Sequence, residues 1–251
     1  MRIRFSGTTS AIPAAGSGFT SFLVEVGGRL GLVDAGDNPV RAVLEAGADP
    51  TTIAFLALTH RHADHLGAFP ALAASLDCLK RSAALDVVAG PTVADDARHL
   101  LEFFGLPPAT LSFPLHFAGR WTDGAASIEL LDGNHSVPTS MVRIREGTTG
   151  LLYAADGAFD PGLVAANAAG CSALVHEATF PDAHLPAATS HSSALQAGLA
   201  AAAAAGVGQL FLCHLDPPAW RGAGDPAAEA GRVFHGAVLV PEPGAWYAVT
   251  S

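Results

Sequence analysis

Thr59-His60-Arg61-His62-Ala63-Asp64-His65 sets three imidazoles and a carboxylate between positions 60 and 65, directly after the apolar run Ile53–Leu58. A buried strand that ends in such a cluster delivers its polar side chains to one edge of a sheet. His60 and His62, two apart on extended chain, leave on the same side and can converge on one ion. Asp64 and His65 enter a turn before a helix and can face a second ion close by. Imidazole nitrogen with carboxylate oxygen suits Zn²⁺, and Mn or Fe are the alternatives, so the expected cofactors are two divalent ions. If a single metal binds, Asp64 is instead available as a base.

The same pattern recurs along the chain. Leu151–Ala155 leads to Asp156, Cys171–Val175 to His176-Glu177, and Leu210–Cys213 to His214, while His135 follows Leu130-Leu131-Asp132-Gly133-Asn134. Ligands in open α/β sheets bind beyond the carboxyl ends of the strands. That shared placement marks His135, Asp156 and His214 as candidates for the remaining ligands. Helix-like segments lie between the strands at Pro39–Ala46, Leu66–Leu76, Val93–Phe104 and Ser193–Ala205. Asp37-Asn38 and Ser192-Ser193 are N-cap signals, and Gly47, Gly105 and Gly206 are stops. Arg2–Phe5, Phe22–Val26 and Leu30–Val33 read as a β-meander turning at Gly27-Gly28. The expectation is α/β: sheets covered by helices, with antiparallel pairing early in each half, in one domain over 1–251.

Half of the 251 residues are apolar, enough for one large core, and glycine and proline are spread without a linker. The start lacks an apolar signal core and no stretch reaches a membrane span, so a cytoplasmic protein with no membrane partner is expected. Cys78, Cys171 and Cys213 have no metal-like spacing and predict no disulfide. A formal charge of −10, with Lys80 the only lysine among 13 basic residues, is a poor electrostatic footprint for a long nucleic acid. His99, His116, His184 and His235 have no partner pattern. Phe103-Phe104, Phe113, Phe117 and Trp121 read as core in preference to a substrate entrance.

These residues resemble the metallo-β-lactamase superfamily, whose His-x-His-x-Asp-His signature stands at His60–His65. The likeness is closer to its ribonuclease Z and compact phosphodiesterase branch. Phe5–Pro13, Leu32–Gly36, Gly133–Pro138, Asp156-Gly157, His176–Phe180, Ser190–Ser193 and Cys213–Leu215 follow that family's order; the middle, about 77–127, contributes little. The resemblance implies a four-layer αββα sandwich. It implies that His60, His62 and His135 bind one zinc, that Asp64, His65 and His214 bind the other, and that Asp156 bridges them. Glu177 and His191 match a pair that assists proton transfer, and a homodimer is compatible with the family.

Two ions about 3.5–4 Å apart would bring the pKa of a shared water toward neutrality and offset charge on a phosphoryl or acyl oxygen. His191, oriented by Glu177, is then placed to protonate a leaving group, and Asp34 to accept a proton from a ligand histidine. Only nineteen residues separate Asp156 from His176, leaving no room for the Gly/Pro/Lys-rich arm with which ribonucleases Z grip transfer RNA. Beyond His214, Leu215–Trp220 replaces the Phe-Ser-x-Arg-Tyr of those enzymes. The expected substrate is therefore a small phosphodiester of the cyclic-nucleotide kind, with Arg143 and Arg145 as weak candidates for phosphate contacts. A lactone, ester or thioester is the runner-up, and precursor transfer RNA stands third.

Overall fold

Phe55 and Ala57 face one way from their strand and Leu56 and Leu58 the other, yet all four are buried. Such a strand needs apolar cover on both faces, which requires a layer above and a layer below. The computed structural model, which describes residues 1–250, supplies both. One eight-stranded sheet runs Trp246–Ala248, Arg2–Thr9, Ser21–Val26, Arg29–Val33, Phe55–Leu58, Leu85–Ala89, Leu115–Ala118, with Gly18–Phe19 paired beside Arg2–Thr9. The other, seven-stranded, runs Ala237–Leu239, Gln209–Cys213, Ala173–Glu177, Thr149–Tyr153, Ser140–Glu146, Ala126–Asp132, Arg120–Asp123.

Each half of the chain begins antiparallel and continues parallel. Arg2–Thr9, Ser21–Val26 and Arg29–Val33 form the expected meander, after which Phe55–Leu58, Leu85–Ala89 and Leu115–Ala118 add in parallel. The second half repeats this, with Arg120–Asp123 through Thr149–Tyr153 antiparallel and Ala173–Glu177, Gln209–Cys213 and Ala237–Leu239 parallel. All the parallel carboxyl ends therefore open on one edge of the sandwich.

Between the sheets lies a core of Phe5, Phe22, Phe55, Tyr153 and Phe211, with Trp121 stacked at 4.6 Å on Phe55. The helices Phe69–Cys78 and Pro91–Phe103 cover the outer face of the first sheet, and Pro161–Asn167 and Ala194–Ala203 that of the second. This is the αββα order. At one edge Arg29 pairs with Asp123 at 2.6 Å and the amino terminus with Glu146 at 2.8 Å, joining the first sheet's meander to the second sheet.

Two local expectations change. The segment read as a helix over Leu66–Leu76 is a short turn, Ala63–Leu66, and then a separate helix, Phe69–Cys78, whose first turn holds Pro70. Phe113 and Trp121 are core as read, but Phe103 and Phe104 are 82% and 59% exposed at the end of their helix. Asn38 and Ser193 cap their helices, the latter in a full capping box with Gln196. All three cysteines are free, Cys171 and Cys213 buried. No helix among the described residues is long and apolar enough to cross a membrane.

Candidate metal centre

All seven side chains proposed as ligands meet at the open edge, in two groups that share Asp156. His60, His62, His135 and Asp156 form one; Asp64, His65, Asp156 and His214 form the other. Within the second group, Asp156 Oδ2 lies 3.0 Å from His214 Nε2 and 3.3 Å from His65 Nε2, and Asp64 Oδ2 lies 3.3 Å from His214 Nε2. Ligands held about 2.0–2.1 Å from a tetrahedral ion stand about 3.3 Å from one another. The donor set thus already has the spacing of a coordination sphere.

Hydrogen bonds behind the site aim the imidazoles. Thr59 Oγ1 lies 3.0 Å from the Asp34 carboxylate, and its single hydrogen goes there, so at 3.0 Å it accepts the Nδ1–H of His60. Thr179 Oγ1 likewise donates to Glu177 and accepts the Nδ1–H of His214 at 2.9 Å. His65 gives its Nδ1–H to Asp34 at 2.8 Å, and His135 to the Ser190 carbonyl at 3.1 Å. Each of these four histidines is left with a bare Nε2 toward the centre. His62 presents Nδ1 instead, 3.1 Å from His60 Nε2 and 3.3 Å from His135 Nε2. It has at most one proton to offer two bare nitrogens, and a cation satisfies all three. His65 Nε2 and Asp156 Oδ1 are buried without a hydrogen bond, a second sign that the residues fit metal ions.

The electrostatics agree. Burial, then repulsion from neighbouring histidines, drives His60 down to about 2 and keeps it a neutral ligand; burial also lowers His62 and His135. Burial opposes the charge on Asp64 and Asp156, but the His214 and His65 imidazoles outweigh it, holding Asp64 at about 2 and Asp156 well below the usual carboxylate range. His65 is raised for the converse reason: Asp156 and Asp34 overcome its desolvation. A positive charge is favoured at this spot, whether proton or metal.

Three strands enter the site through left-handed residues that are not glycine: Asp34 at φ 60°, Ala155 at φ 57° and His214 at φ 55°. Such backbone costs on the order of 1 kcal/mol at each place and persists where surrounding contacts demand it. Gly36 does similar work by absence, since a Cβ there would lie 1.5 Å from the Asp64 carbonyl oxygen.

His191 hangs over the centre, its ring stacked on His214 at 5.3 Å and its Nδ1 3.2 Å from Glu177 Oε1. Glu177 is fully buried and fixed by the Gly157 amide at 2.7 Å and by Thr179. Burial works against a charged His191, but the Glu177 hydrogen bond and charge, with Asp156 and Asp64 beyond, raise it above the ordinary histidine range. The cavity before it, about 440 Å³, has Ile12, Ala63 and Phe180 in its wall and Asp64, His191 and His214 at its floor.

Arg143 and Arg145 do not reach this site. Arg143 pairs with Glu129 at 2.6 Å and donates to the Asn167 carbonyl; Arg145 donates to Ala169 and Gly170. Both serve the carbonyl end of the helix Pro161–Asn167, where cations complement the dipole. Sequence reasoning missed Thr179 and the Ser190 carbonyl altogether, and passed over the hydroxyl of Thr59.

A family model described as a beta-lactamase superfamily domain matches residues 31–215. The ribonuclease Z of Mycobacterium marinum is 27% identical over 86% of this chain and 87% of its own. Two further ribonucleases Z are matched over 30% and 36% of their length, so the chain spans about a third of those relatives. The metallo-β-lactamase fold protein YhfI from Bacillus subtilis superposes with a TM-score of 0.82 at 22% identity over 98% of each chain. The short form of human tRNase Z does so with 0.79 at 18% identity over 100% of each. At these identities the two structures share the fold.

Proposed function

We infer, from the premise that the chain belongs to the β-lactamase superfamily and is a metal-dependent hydrolase of that fold, that its substrate is a small phosphodiester. Residues His60, His62, His135 and Asp156 would hold one divalent ion, and Asp64, His65, Asp156 and His214 the other. When bound, the two ions supply a water-derived nucleophile and offset charge on the phosphoryl oxygens. The protein's own part is positional and protonic. Asp34, Thr59 and Thr179 keep the ligand nitrogens aimed. With its Nδ1–H on Glu177, His191 offers Nε2 to the cavity and, carrying a proton there, donates it to the departing alkoxide.

The observation that carries substrate size is the connection between Tyr153 and Ala173. It forms only the helix Pro161–Asn167, packed on the second sheet, with no projecting arm to grip a large polyanion. The cavity of about 440 Å³ is of small-molecule size, and the charge of −10 disfavours a long nucleic acid. Its apolar wall suits a base-like or aromatic substituent on the diester.

A second reading, cleavage of precursor transfer RNA, is supported by the ribonuclease Z relatives at 25–30% identity. One experiment separates the readings: zinc-loaded protein assayed against bis(p-nitrophenyl) phosphate, 2′,3′-cyclic nucleotides, a lactone and precursor transfer RNA. Diester turnover well above the rest is expected. Precursor transfer RNA cleaved at its 3′ side with the highest kcat/KM would establish the second reading, and lactone turnover above the diester would place the reaction in acyl transfer.

A further inference from the structure

Arg4 lies in the strand Arg2–Thr9, only 6% exposed, and its guanidinium has no carboxylate within ion-pairing distance among the described residues. Nε donates to the Gly244 carbonyl at 2.8 Å and Nη1 to the Ala42 carbonyl at 3.2 Å; Nη2 donates to no acceptor among the described residues. Buried cations are ordinarily paired, because two neutral carbonyls do not replace the lost hydration. Ser6, two residues on, has a hydroxyl that is buried without a partner among the described residues. Both residues line one cavity of about 430 Å³, walled by Pro13, Ala14 and Gly16 and distinct from the metal centre.

We propose that this cavity is a second ligand site, taking a small phosphate-bearing molecule on Arg4 and Ser6. The free Nη2 and the hydroxyl supply donors to an oxyanion, the arrangement in which a guanidinium binds most strongly. Gly244 keeps that edge of the guanidinium open: its backbone has φ +88°, and a Cβ there would stand 3.2 Å from Nη2. The rim carries both signs. Asp37, Arg41 and Glu45 all line it, Arg41 lying 3.8 Å from each of the two carboxylates. A mouth of mixed charge favours a compact ligand with one anionic group and hydroxyls over a polyanion. The loop between is shared: Ser10, Ala11 and Ile12 line the metal-side cavity, and Pro13, Ala14, Gly16, Ser17 and Gly18 this one.

Zinc-loaded protein titrated with inorganic phosphate and followed by amide NMR tests the assignment without an activity assay. The amides of Gly16, Ser17, Gly18 and Gly244 are expected to move together along one saturating curve with Kd below about 1 mM, separate from any change at Gly157 and Thr179 beside the metals. Arg4→Met is expected to weaken that curve at least about tenfold, a charge-assisted pair being lost. Because replacing a buried arginine can cost the fold, Ala14→Trp is the companion variant: it fills the cavity from an exposed wall position and is expected to abolish the curve with Arg4 intact. Four silent amides, or shifts that survive Ala14→Trp in a folded protein, overturn the proposal.

Discussion

Thr179 holds Glu177 with its hydroxyl hydrogen and His214 with its lone pair, so one side chain aligns both a proposed metal ligand and the partner of His191. Thr179→Val keeps the shape and removes both bonds. It is expected to weaken metal binding about 10–100-fold, the range found when groups behind a ligand histidine are lost, as read by competition with a chromogenic chelator. Wild-type affinity in that variant would show that the hydroxyl does not orient His214. His191→Ala should keep its full metal content and lose about 10²–10⁴-fold in diester kcat, the contribution of a positioned acid; an undiminished rate would remove His191 from proton transfer. At this scale the sequence was legible where chemistry is local. His60 to His65 announce themselves by spacing, whereas the hydroxyls of Thr59 and Thr179 acquire their roles from contacts with residues 25 and 35 positions away. A threonine in an apolar context carries no mark of such a partner. Arg143 and Arg145 show the opposite failure: proximity in sequence to His135 suggested a phosphate contact, but alternation along the strand sends both side chains to a helix end.

The loop at Gly36 and the first turn after the metal motif form one unit, because Ala35 donates its N–H to the His65 carbonyl and accepts that of Ala68. Gly36→Ala would drive a methyl into the Asp64 carbonyl and push that turn outward. Loss of one metal equivalent with a lowered Tm is the expected result; full metal content in elemental analysis would show that the loop can yield. The helix Ala194–Ala203 begins three residues after His191, and its capping box fixes where the His191 loop ends. Ser193→Ala should lower stability by about 1 kcal/mol in urea unfolding. Capping signals and strand ends were readable because they depend on a few neighbouring residues. The break between Ala63–Leu66 and Phe69–Cys78 was passed over because helical periodicity runs through it, although Pro70, with no N–H to continue the ladder, marks it, and Ala35 docks against His65 and Ala68 there.

Across the whole molecule the apolar runs pointed to sheets covered by helices and the polar residues at their ends to the choice of edge, while the four-layer αββα order came from the resemblance. Which ligands share an ion needed the resemblance, since strand order within a sheet is not written in any single strand. Two metals held by side chains from both sheets would stabilise the folded state by mass action. Dialysis against a chelator should therefore lower Tm, with graded recovery as zinc is returned; an unchanged Tm would mean that the sandwich stands independently of the metals.

The two ligand groups also set an order in time. His60, His62, Asp64 and His65 come before the rest in the chain, but the first group is incomplete until His135 and Asp156 have followed, and the second until His214 has. Until then these histidines would hold an ion only loosely and could lose it again. Tight loading would in this sense wait for the strands of the second sheet that precede Asp156 and His214.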